Sequence, residues 1–444
     1  MKRVTQRSLL STAIALAAFQ AQGAGFQISE HSASGLGRAF AGEAAIADNA
    51  SVAARNPAAM TMFESAQLSG GLSFIQPDVN AKVNKVGSTP AQLLPATVSY
   101  DHKDVAPDAV VPYFDYIRPL NEKSAIGLSA FSNFGLSTEY PTNSAAGAIA
   151  GKTELLTLDL NVNYAYQVTD ALSLGAGLNA VYADASLNRH AGAAVYGANS
   201  ATLAAIGITQ PTDTVANMSG NGWGFGWNVG ALWQINEKNR LGLAYRSKVD
   251  ITLEGDYSGL NTAYVGKVGA SVPGELELNL PDILELSGYH ELTPKWALHY
   301  SAMMTGWSRF KELRATSANT NCGSSSGVFD GVCLQKDEKW EDSWRYAVGA
   351  THYLNNAWTL RAGVAIDQSP VPDSHRTMSI PDTERTWYTL GATYKATDNL
   401  TVDGGFAYLN GDSVTGSETE GGSTFEFEAG GDAYIFALGA NYTF

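Results

Sequence analysis

The chain has 444 residues, of which only 16% are charged, and its formal net charge is −15. An acidic chain without a basic cluster is a poor partner for nucleic acid, so we exclude that class of function. About a quarter of the residues of a soluble domain are charged, whereas this chain combines a low charge content with 45 Gly, 20 Tyr, 16 Phe and 9 Trp.

The first 23 residues, Met1–Gly23, have the pattern of a secretory signal peptide. Three basic residues precede an apolar core, Leu9–Phe19, and small residues at Ala21–Gly23 offer a cleavage site. This core is too short to cross a bilayer. We therefore expect the mature chain to begin at Ala24. No later stretch of about 18 apolar residues predicts a transmembrane helix.

The next segment, Ser34–Phe63, differs from everything that follows it. It is rich in Gly and Ala, has no strand alternation, and carries four charges, at Arg38, Glu43, Asp48 and Arg55. One compact non-β segment ahead of an all-β remainder indicates a plug inside that remainder. The alternative is an exposed N-terminal arm.

The remainder of the chain repeatedly alternates apolar and polar residues. The clearest runs are Leu156–Tyr166, Leu172–Tyr182, Trp223–Trp233, Trp296–Met304 and Trp358–Ile366. Period-2 alternation places one set of side chains on one face of a strand. Runs of about 10 residues, tilted near 45°, span a membrane, whereas soluble strands are usually nearer 5–6 residues. The runs therefore predict membrane-spanning strands with one lipid-facing side.

The number of short polar turns predicts the number of strands. Six turns lie roughly 40 to 70 residues apart, which leaves room for two spanning strands and one longer loop between turns. They are Asn121–Lys123, Val168–Asp170, Asn236–Asn239, Thr293–Pro294, Asn355–Asn356 and Thr397–Asn399. Six turns separate seven hairpins, so we predict an all-β fold, a transmembrane antiparallel barrel of about 14 strands over residues 66–444. Both termini then face the periplasm, and the longest outward loops are Ala191–Ser219 and Tyr257–Glu275.

The last strand ends in an aromatic residue. Tyr434 to Phe444 alternate on one face, and a terminal Phe resembles the assembly signal of bacterial outer-membrane proteins. We therefore expect the barrel assembly machinery to recognise Phe444. The chain should be a monomer surrounded by outer-membrane lipid and lipopolysaccharide.

Enzymatic and metal chemistry have little support in the sequence. The one Gly-x-Ser-x-Gly match, Gly323–Gly327, lies in a Ser-rich loop and not at a strand-to-helix elbow, so we interpret it as coincidental. The seven His are scattered without metal-ligand spacing. We expect no catalytic residues, metal or cofactor, although an outer-membrane lipid hydrolase and a general porin remain alternatives. Cys322 and Cys333 share one outward loop, so in an oxidising compartment we expect a local disulfide between them.

Across essentially the whole mature chain, the sequence resembles the FadL family of outer-membrane long-chain fatty acid transporters. The resemblance rests on Ala24–Gln27, Gly35–Ala39, Ala45–Asp48, Arg55–Ala58, Ser132–Leu136, Asn221–Trp227, Leu280–Pro281 and Ser369–Pro372. It implies a 14-stranded barrel closed by an N-terminal hatch, here residues 24–65. It also implies passive transport of fatty acids, while the family's branch for neutral aromatic hydrocarbons is an alternative.

The resemblance further assigns roles to single residues. It places the motif Asn56, Pro57 and Ala58 in the hatch, although the tripeptide alone reads as a turn. It matches Asn133, Phe134 and Gly135 to a kink in the third strand that opens the barrel wall for lateral exit; a Gly within a strand suits such a bulge.

Two basic residues, Arg189 and Lys336, match the pair that binds the ligand carboxylate in this family. Without the resemblance, each reads as a solvated charge at the rim of the barrel. The resemblance also implies that ligand first meets an apolar groove between the loops Ala191–Ser219 and Tyr257–Glu275, and that binding shifts the hatch near Ala24–Glu30.

Overall fold

The structure is a computed structural model that describes residues 25–196, 200–205, 207–260, 262, 270–318, 322–323, 330–420 and 422–444. The predicted signal peptide, Met1–Gly23, lies outside the described residues, as do Ser324–Gly327 of the Ser-rich stretch. No helix in the described ranges is long and apolar enough to cross a bilayer.

Fourteen antiparallel strands form one closed barrel, as predicted. They are β1 (Gln67–Val86), β2 (Ala109–Asn121), β3 (Ser124–Phe131 and Gly135–Glu139), β4 (Lys152–Thr169), β5 (Leu172–His190), β6 (Thr214–Asn236), β7 (Asn239–Arg246 and Val249–Gly259), β8 (Val272–Leu280 and Ile283–Thr293), β9 (Trp296–Thr305 and Glu312–Thr316), β10 (Val332–Asp337 and Ser343–Tyr353), β11 (Trp358–Asp367), β12 (Arg385–Lys395), β13 (Leu400–Gly411 and Ser413–Glu420) and β14 (Ser423–Thr443). Two short strand pieces, Thr89–Pro90 and Asp101–His102, lie between β1 and β2.

The barrel closes where β1 pairs with β14, from Gln67 opposite Thr443 to Val86 opposite Phe425. Closure removes the two free edges that an open sheet would present to lipid. The last residue joins this seam, because the Phe444 amide donates a hydrogen bond of 3.0 Å to the carbonyl of Ala66.

All six predicted turns connect successive strands at the end of the barrel that also holds Gln67 and Thr443. The two predicted outer loops are shorter than expected, because β6 begins at Thr214, β7 ends at Gly259 and β8 begins at Val272. These strands continue past the apolar band, as in the pairing of Asn188 with Asn217. There the polarity of the two faces is reversed relative to the apolar band: Met218 and Leu276 face inward, whereas Asn217 and Glu275 are exposed.

The two faces of the wall have the polarity predicted from alternation. On β4, Leu160 and Val162 are 43% and 57% exposed, whereas the intervening Asn161 is 2% exposed. A water-soluble protein has the opposite arrangement, since large apolar patches are rarely left on its surface. The outer face of the wall is therefore the lipid-facing surface.

The N-terminal segment (residues 25–65) lies inside the barrel, so the exposed-arm alternative is wrong. It contains helices α1 (Ala33–Leu36) and α2 (Val52–Arg55) and the 3₁₀ turn Pro57–Met62. Its backbone touches the wall at glycines: a Cβ built on Gly242 of β7 would lie 1.9 Å from the carbonyl oxygen of Ala44. Glycine is needed there because no side chain fits between the two backbones.

Only short helical elements are described elsewhere: α3 (Ser200–Ala205) and the 3₁₀ turns Ala91–Leu93, Gly192–Tyr196, Trp307–Arg309 and Asp373–His375.

Asn56 makes hydrogen bonds both within the N-terminal segment and to the wall. Its side-chain oxygen accepts a hydrogen bond of 3.0 Å from the Ala58 amide, and Pro57 occupies the first position of the 3₁₀ turn, where its missing N–H is no loss. The Asn56 amide nitrogen donates to the carbonyls of Ala44, at 2.6 Å, and Ala231, at 3.1 Å. The motif therefore both starts the turn and fastens the N-terminal segment to β6.

Buried ion pairs also hold the N-terminal segment. Arg38, with 2% of its side chain exposed, lies 2.6 Å from Glu43 and 3.0 Å from Asp48. Arg361 of β11 reaches the same oxygen of Asp48 at 3.1 Å. Burial raises the pKa of Asp48, but Arg38 and Arg361 outweigh that effect and bring the pKa down to about 2. Three of the four charges in this segment, Arg38, Glu43 and Asp48, are thus mutual partners, whereas Arg55 pairs with Glu285 of β8 at 3.8 Å.

We expect Arg38→Met to loosen the N-terminal segment and leave the barrel closed. Breaking one side of a buried ion pair costs roughly 3–5 kcal/mol, because the other charge stays buried without a partner. Conductance of the purified protein in planar bilayers should rise, while its heat-dependent shift in gel mobility persists. The matched control is Lys85→Met, whose partner Glu426 is 3.2 Å away in an exposed pair. Unchanged conductance in Arg38→Met would contradict this role.

Candidate ligand site

The two basic residues singled out from the sequence occupy the outer half of the lumen. Arg189 stands at the outer end of β5 and is 6% exposed, and Lys336 lies on the outer piece of β10 with 24% of its side chain exposed. Neither is a freely solvated rim charge. The barrel carries both inward because each lies on the inward-facing set of its strand.

Arg189 is held almost entirely by uncharged groups. Its guanidinium donates to the carbonyls of Lys152, at 3.0 Å, and Asn188, at 2.9 Å, and to the Thr153 hydroxyl, at 3.1 Å. Among the described residues, no carboxylate lies within ion-pair distance of Arg189. A buried cation of this kind favours the approach of an anion.

Lys336, in contrast, already has an acidic partner. Its ammonium forms an ion pair with Glu418 of β13 and donates to the Ser379 hydroxyl at 3.2 Å. The second carboxylate oxygen of Glu418 is buried and receives no hydrogen bond from the described residues. A ligand carboxylate that binds Lys336 would therefore compete with Glu418.

A second carboxyl, Glu338, lies near enough to both cations to feel their charges. It is fully buried, and burial raises its pKa to about 7 against the opposing charges of Lys336 and Arg189. Its Oε2 accepts a hydrogen bond of 3.2 Å from the indole nitrogen of Trp340. Arg189, Lys336, Glu338 and Glu418 thus form one electrostatic cluster, which we call the head cluster. Sequence reasoning missed both acids, because nothing in their local pattern separates them from exposed Glu residues.

An aromatic cluster extends from the head cluster towards the N-terminal segment. Trp340 lies 5.6 Å from the ring of Phe26, and Trp307 lies 4.5 Å from it, measured between ring centroids. Phe310 packs 4.9 Å from Trp340, and Phe134 of the kink lies 6.1 Å from Phe26. These rings therefore connect the head cluster, the start of the N-terminal segment and the kink.

The predicted kink is a real interruption, because β3 stops at Phe131 and resumes at Gly135. The N-terminal segment pairs with the backbone exposed there. Ile28 donates to the Asn133 carbonyl at 2.7 Å, and Gly135 donates to the Phe26 carbonyl at 2.9 Å. Phe26–Ile28 thus satisfies backbone groups that a regular strand would have paired.

A small, partly open cavity lies between the outer parts of β5 to β9. Its apolar lining includes Ala185, Met218, Leu253, Tyr257, Leu276 and Ala315. Met218 and Tyr257 belong to the two stretches predicted to border a groove. Ile208, from the apolar part of the first stretch, packs instead with Ala191 and Val195.

Cys322 and Cys333 form a disulfide in the connection between the outer pieces of β9 and β10. Both are buried, and Lys336 follows three residues after the second. The bridge thus anchors this connection to the start of the strand piece Val332–Asp337, which carries Lys336.

Comparison with known proteins places this geometry in a family. The family model for outer membrane protein transport proteins (OMPP1/FadL/TodX) matches residues 14–444. A long-chain fatty acid transport protein of Escherichia coli O6:H1 is 40% identical over 461 aligned residues, which cover 100% of this chain and 99% of that protein.

Two solved structures share the fold. A Pseudomonas aeruginosa FadL homologue superposes with a TM-score of 0.82 at 23% identity, covering 94% of this chain and 99% of that one. The Pseudomonas putida toluene transporter TodX superposes with a TM-score of 0.64 at 16% identity, covering 91% of this chain and 96% of that one. With the closed barrel, the buried N-terminal segment and the family match in hand, we conclude that this chain is a bacterial outer-membrane β-barrel that belongs to the OMPP1/FadL/TodX family of transport proteins.

Proposed function

We propose that this chain is a passive channel, not an enzyme, that carries long-chain fatty acids across the outer membrane. The observation that carries the proposal is the head cluster, in which the inward-facing cations Arg189 and Lys336 both lie near the buried carboxyl of Glu338, next to a cluster of aromatic rings. The name of the E. coli relative, a long-chain fatty acid transport protein, agrees with this substrate class.

Arg189 and Lys336 bind the carboxylate of the fatty acid. Arg189 has no acidic partner within ion-pair distance among the described residues, so it is available to an incoming anion. Lys336 exchanges its Glu418 partner for the ligand. Hydrogen bonds to charged groups contribute about 1.5–3 kcal/mol each, so the pair is strong enough to select an anionic head.

The apolar tail supplies most of the affinity. Each buried CH₂ contributes about 0.8 kcal/mol, which favours long chains over short ones. The cavity lined by Met218, Leu253 and Tyr257 is the apolar groove where the ligand first binds. From there the ligand moves inward to the head cluster.

The N-terminal segment acts as the hatch, and the kink is the lateral exit. Ligand at the head cluster disturbs Trp340, which contacts Phe26. Displacing residues 25–30 would break the backbone pairing at Asn133 and Gly135 and open the wall. The ligand then leaves sideways into the membrane.

A channel for neutral aromatic hydrocarbons is the second candidate, since the toluene transporter TodX has the same fold. Such ligands have no carboxylate and gain nothing from Arg189 and Lys336. A lipid hydrolase or a general porin fits less well, because the lumen is filled by the N-terminal segment.

Replacing both cations tests head-group recognition directly. Arg189→Ala with Lys336→Ala should weaken oleate binding by at least about tenfold, since 1.4 kcal/mol corresponds to one decade. Binding of oleyl alcohol, which has the same tail, should change little. Equilibrium binding to the purified protein measures both ligands. An equal loss of affinity for the acid and the alcohol would show that the two residues shape the site without recognising the charge of the ligand. No loss of affinity for either ligand would reject the site.

Oleate binding should also depend on pH through Glu338. Burial holds the pKa of Glu338 at about 7, so this group loses its negative charge as the pH falls from 8 to 6. Removing a negative charge beside Arg189 and Lys336 strengthens the attraction for a carboxylate, so affinity should rise over that interval. Glu338→Gln, which is neutral throughout, should bind oleate with the same affinity at both pH values. A persistent pH dependence in this variant would assign the effect to another group.

The lateral exit predicts a separation of binding from uptake. Rebuilding Asn133–Gly135 as a regular strand should abolish oleate uptake by whole cells, because the wall would close, while the purified variant still binds oleate at the head cluster. Substitution at Asn143, an exposed outer position whose amide donates to Thr97, is the matched control. Normal uptake through a regularised β3 would remove the lateral exit from the mechanism.

A further inference from the structure

A separate small cavity, partly open, lies beside the kink. Phe134, Val181 and Leu280 supply apolar surface, and Asn133, Asp159 and Arg246 supply polar groups. Neither Arg189 nor Lys336 lines this cavity. The polar groups at the exit are therefore different from those of the head cluster, and the fatty acid must pass them last.

Arg246 ties three parts of the molecule together at this cavity. Its Nη1 donates to Oδ2 of Asp159 at 3.0 Å, and its Nη2 donates to the Ala54 carbonyl of the N-terminal segment at 2.6 Å. The side-chain amide of Asn133, in the kink, donates to the same Asp159 oxygen at 3.1 Å. Asp159 Oδ2 thus accepts from both the kink and Arg246.

The other oxygen of Asp159 has no such partner. Asp159 is 1% exposed, and its Oδ1 is buried without a hydrogen bond from any described residue. A buried acceptor left without a donor is unfavourable. A ligand with an O–H group in this cavity would supply the missing donor.

The charges around the cavity decide which form of the ligand fits. Arg246 and Asp159 form an ion pair. His31 and Arg55 of the N-terminal segment lie near enough to feel the charge of Arg246, and Arg55 is paired to Glu285 at 3.8 Å. A carboxylate anion would be placed directly against the Asp159 carboxylate. A neutral carboxylic acid would not, because its O–H donates to Asp159 Oδ1 while its carbonyl accepts from Arg246 or Asn133.

The hydrocarbon of the membrane beyond the wall also favours the neutral acid over the carboxylate anion. Moving a carboxylate from water into lipid is far more costly than moving a neutral acid. A fatty acid that leaves through the wall must therefore take up a proton from lumen water by ordinary acid–base equilibrium, with no change of charge on the protein.

We propose that the cavity at the kink is a second head-group site, which binds the fatty acid as a neutral carboxylic acid, with Asp159 accepting its O–H and Arg246 or Asn133 donating to its carbonyl. This site rests on the proposed function, since it receives ligand from the head cluster. This cavity is the last polar site that the fatty acid contacts before it enters the membrane.

The test compares oleic acid with methyl oleate, which has the same tail and carbonyl but no O–H. Asp159→Asn keeps the shape of the side chain but replaces one carboxylate oxygen, which only accepts hydrogen bonds, with an NH2 group that donates them. In cells that lack any other such transporter, the ratio of oleate to methyl oleate uptake should fall by about fivefold, the loss expected for one hydrogen bond. Asp115→Asn is the matched control, because Asp115 is a fully buried lumen carboxyl that does not line this cavity. Its ratio should stay at the wild-type value.

An unchanged ratio in Asp159→Asn would overturn the proposal, and so would an equal loss of both substrates, which would mark Asp159 as purely structural. If Asp159→Asn did not assemble, Asp159→Ala with Arg246→Ala would remove both charges together, and the same fall in ratio is expected. Oleate binding by purified Asp159→Asn should remain at wild-type strength. Failure of the wild-type protein to bind oleate would instead reject the proposed function.

Discussion

Backbone pairing across the seam between β1 and β14 is the interaction on which the rest of the structure depends. Lipid offers no hydrogen-bond partners, so every strand needs a neighbour on both sides. The long register from Gln67 opposite Thr443 to Val86 opposite Phe425 provides the last pair of neighbours. Once the sheet is closed, one face meets lipid and the other encloses a lumen. This division explains why Val162 is exposed and Asn161 is buried on the same strand.

Closure creates a lumen that would conduct water if it were empty, and the N-terminal segment fills it. The segment is held by small residues at close backbone contacts and by the ion pairs around Arg38. Inward-facing side chains of the wall donate hydrogen bonds to its backbone, as Arg246 does to the Ala54 carbonyl and Arg345 to the Ala39 carbonyl. The small residues of this segment thus allow close packing, and the polar inner face of the strands offers hydrogen-bond partners.

β3 is interrupted at the kink, and the backbone of Phe26–Ile28 forms hydrogen bonds with the wall there. Ile28 and Gly135 make backbone hydrogen bonds across the gap in β3. The same Phe26 packs against Trp307 and Trp340, and Trp340 donates to Glu338. The gap in the wall and the head cluster are therefore joined through one short stretch of backbone and a few rings.

The sequence by itself determined the number of strands, their faces and the position of their turns, because alternation and turn chemistry are local properties of the chain. Resemblance to a family added the kink and the two cations, Arg189 and Lys336. Only the tertiary structure placed Glu418 on Lys336, 82 residues away, and Asp159 on Arg246, 87 residues away. Such partners are chosen by the stagger of strands around a closed barrel, and no local pattern of residues records that stagger.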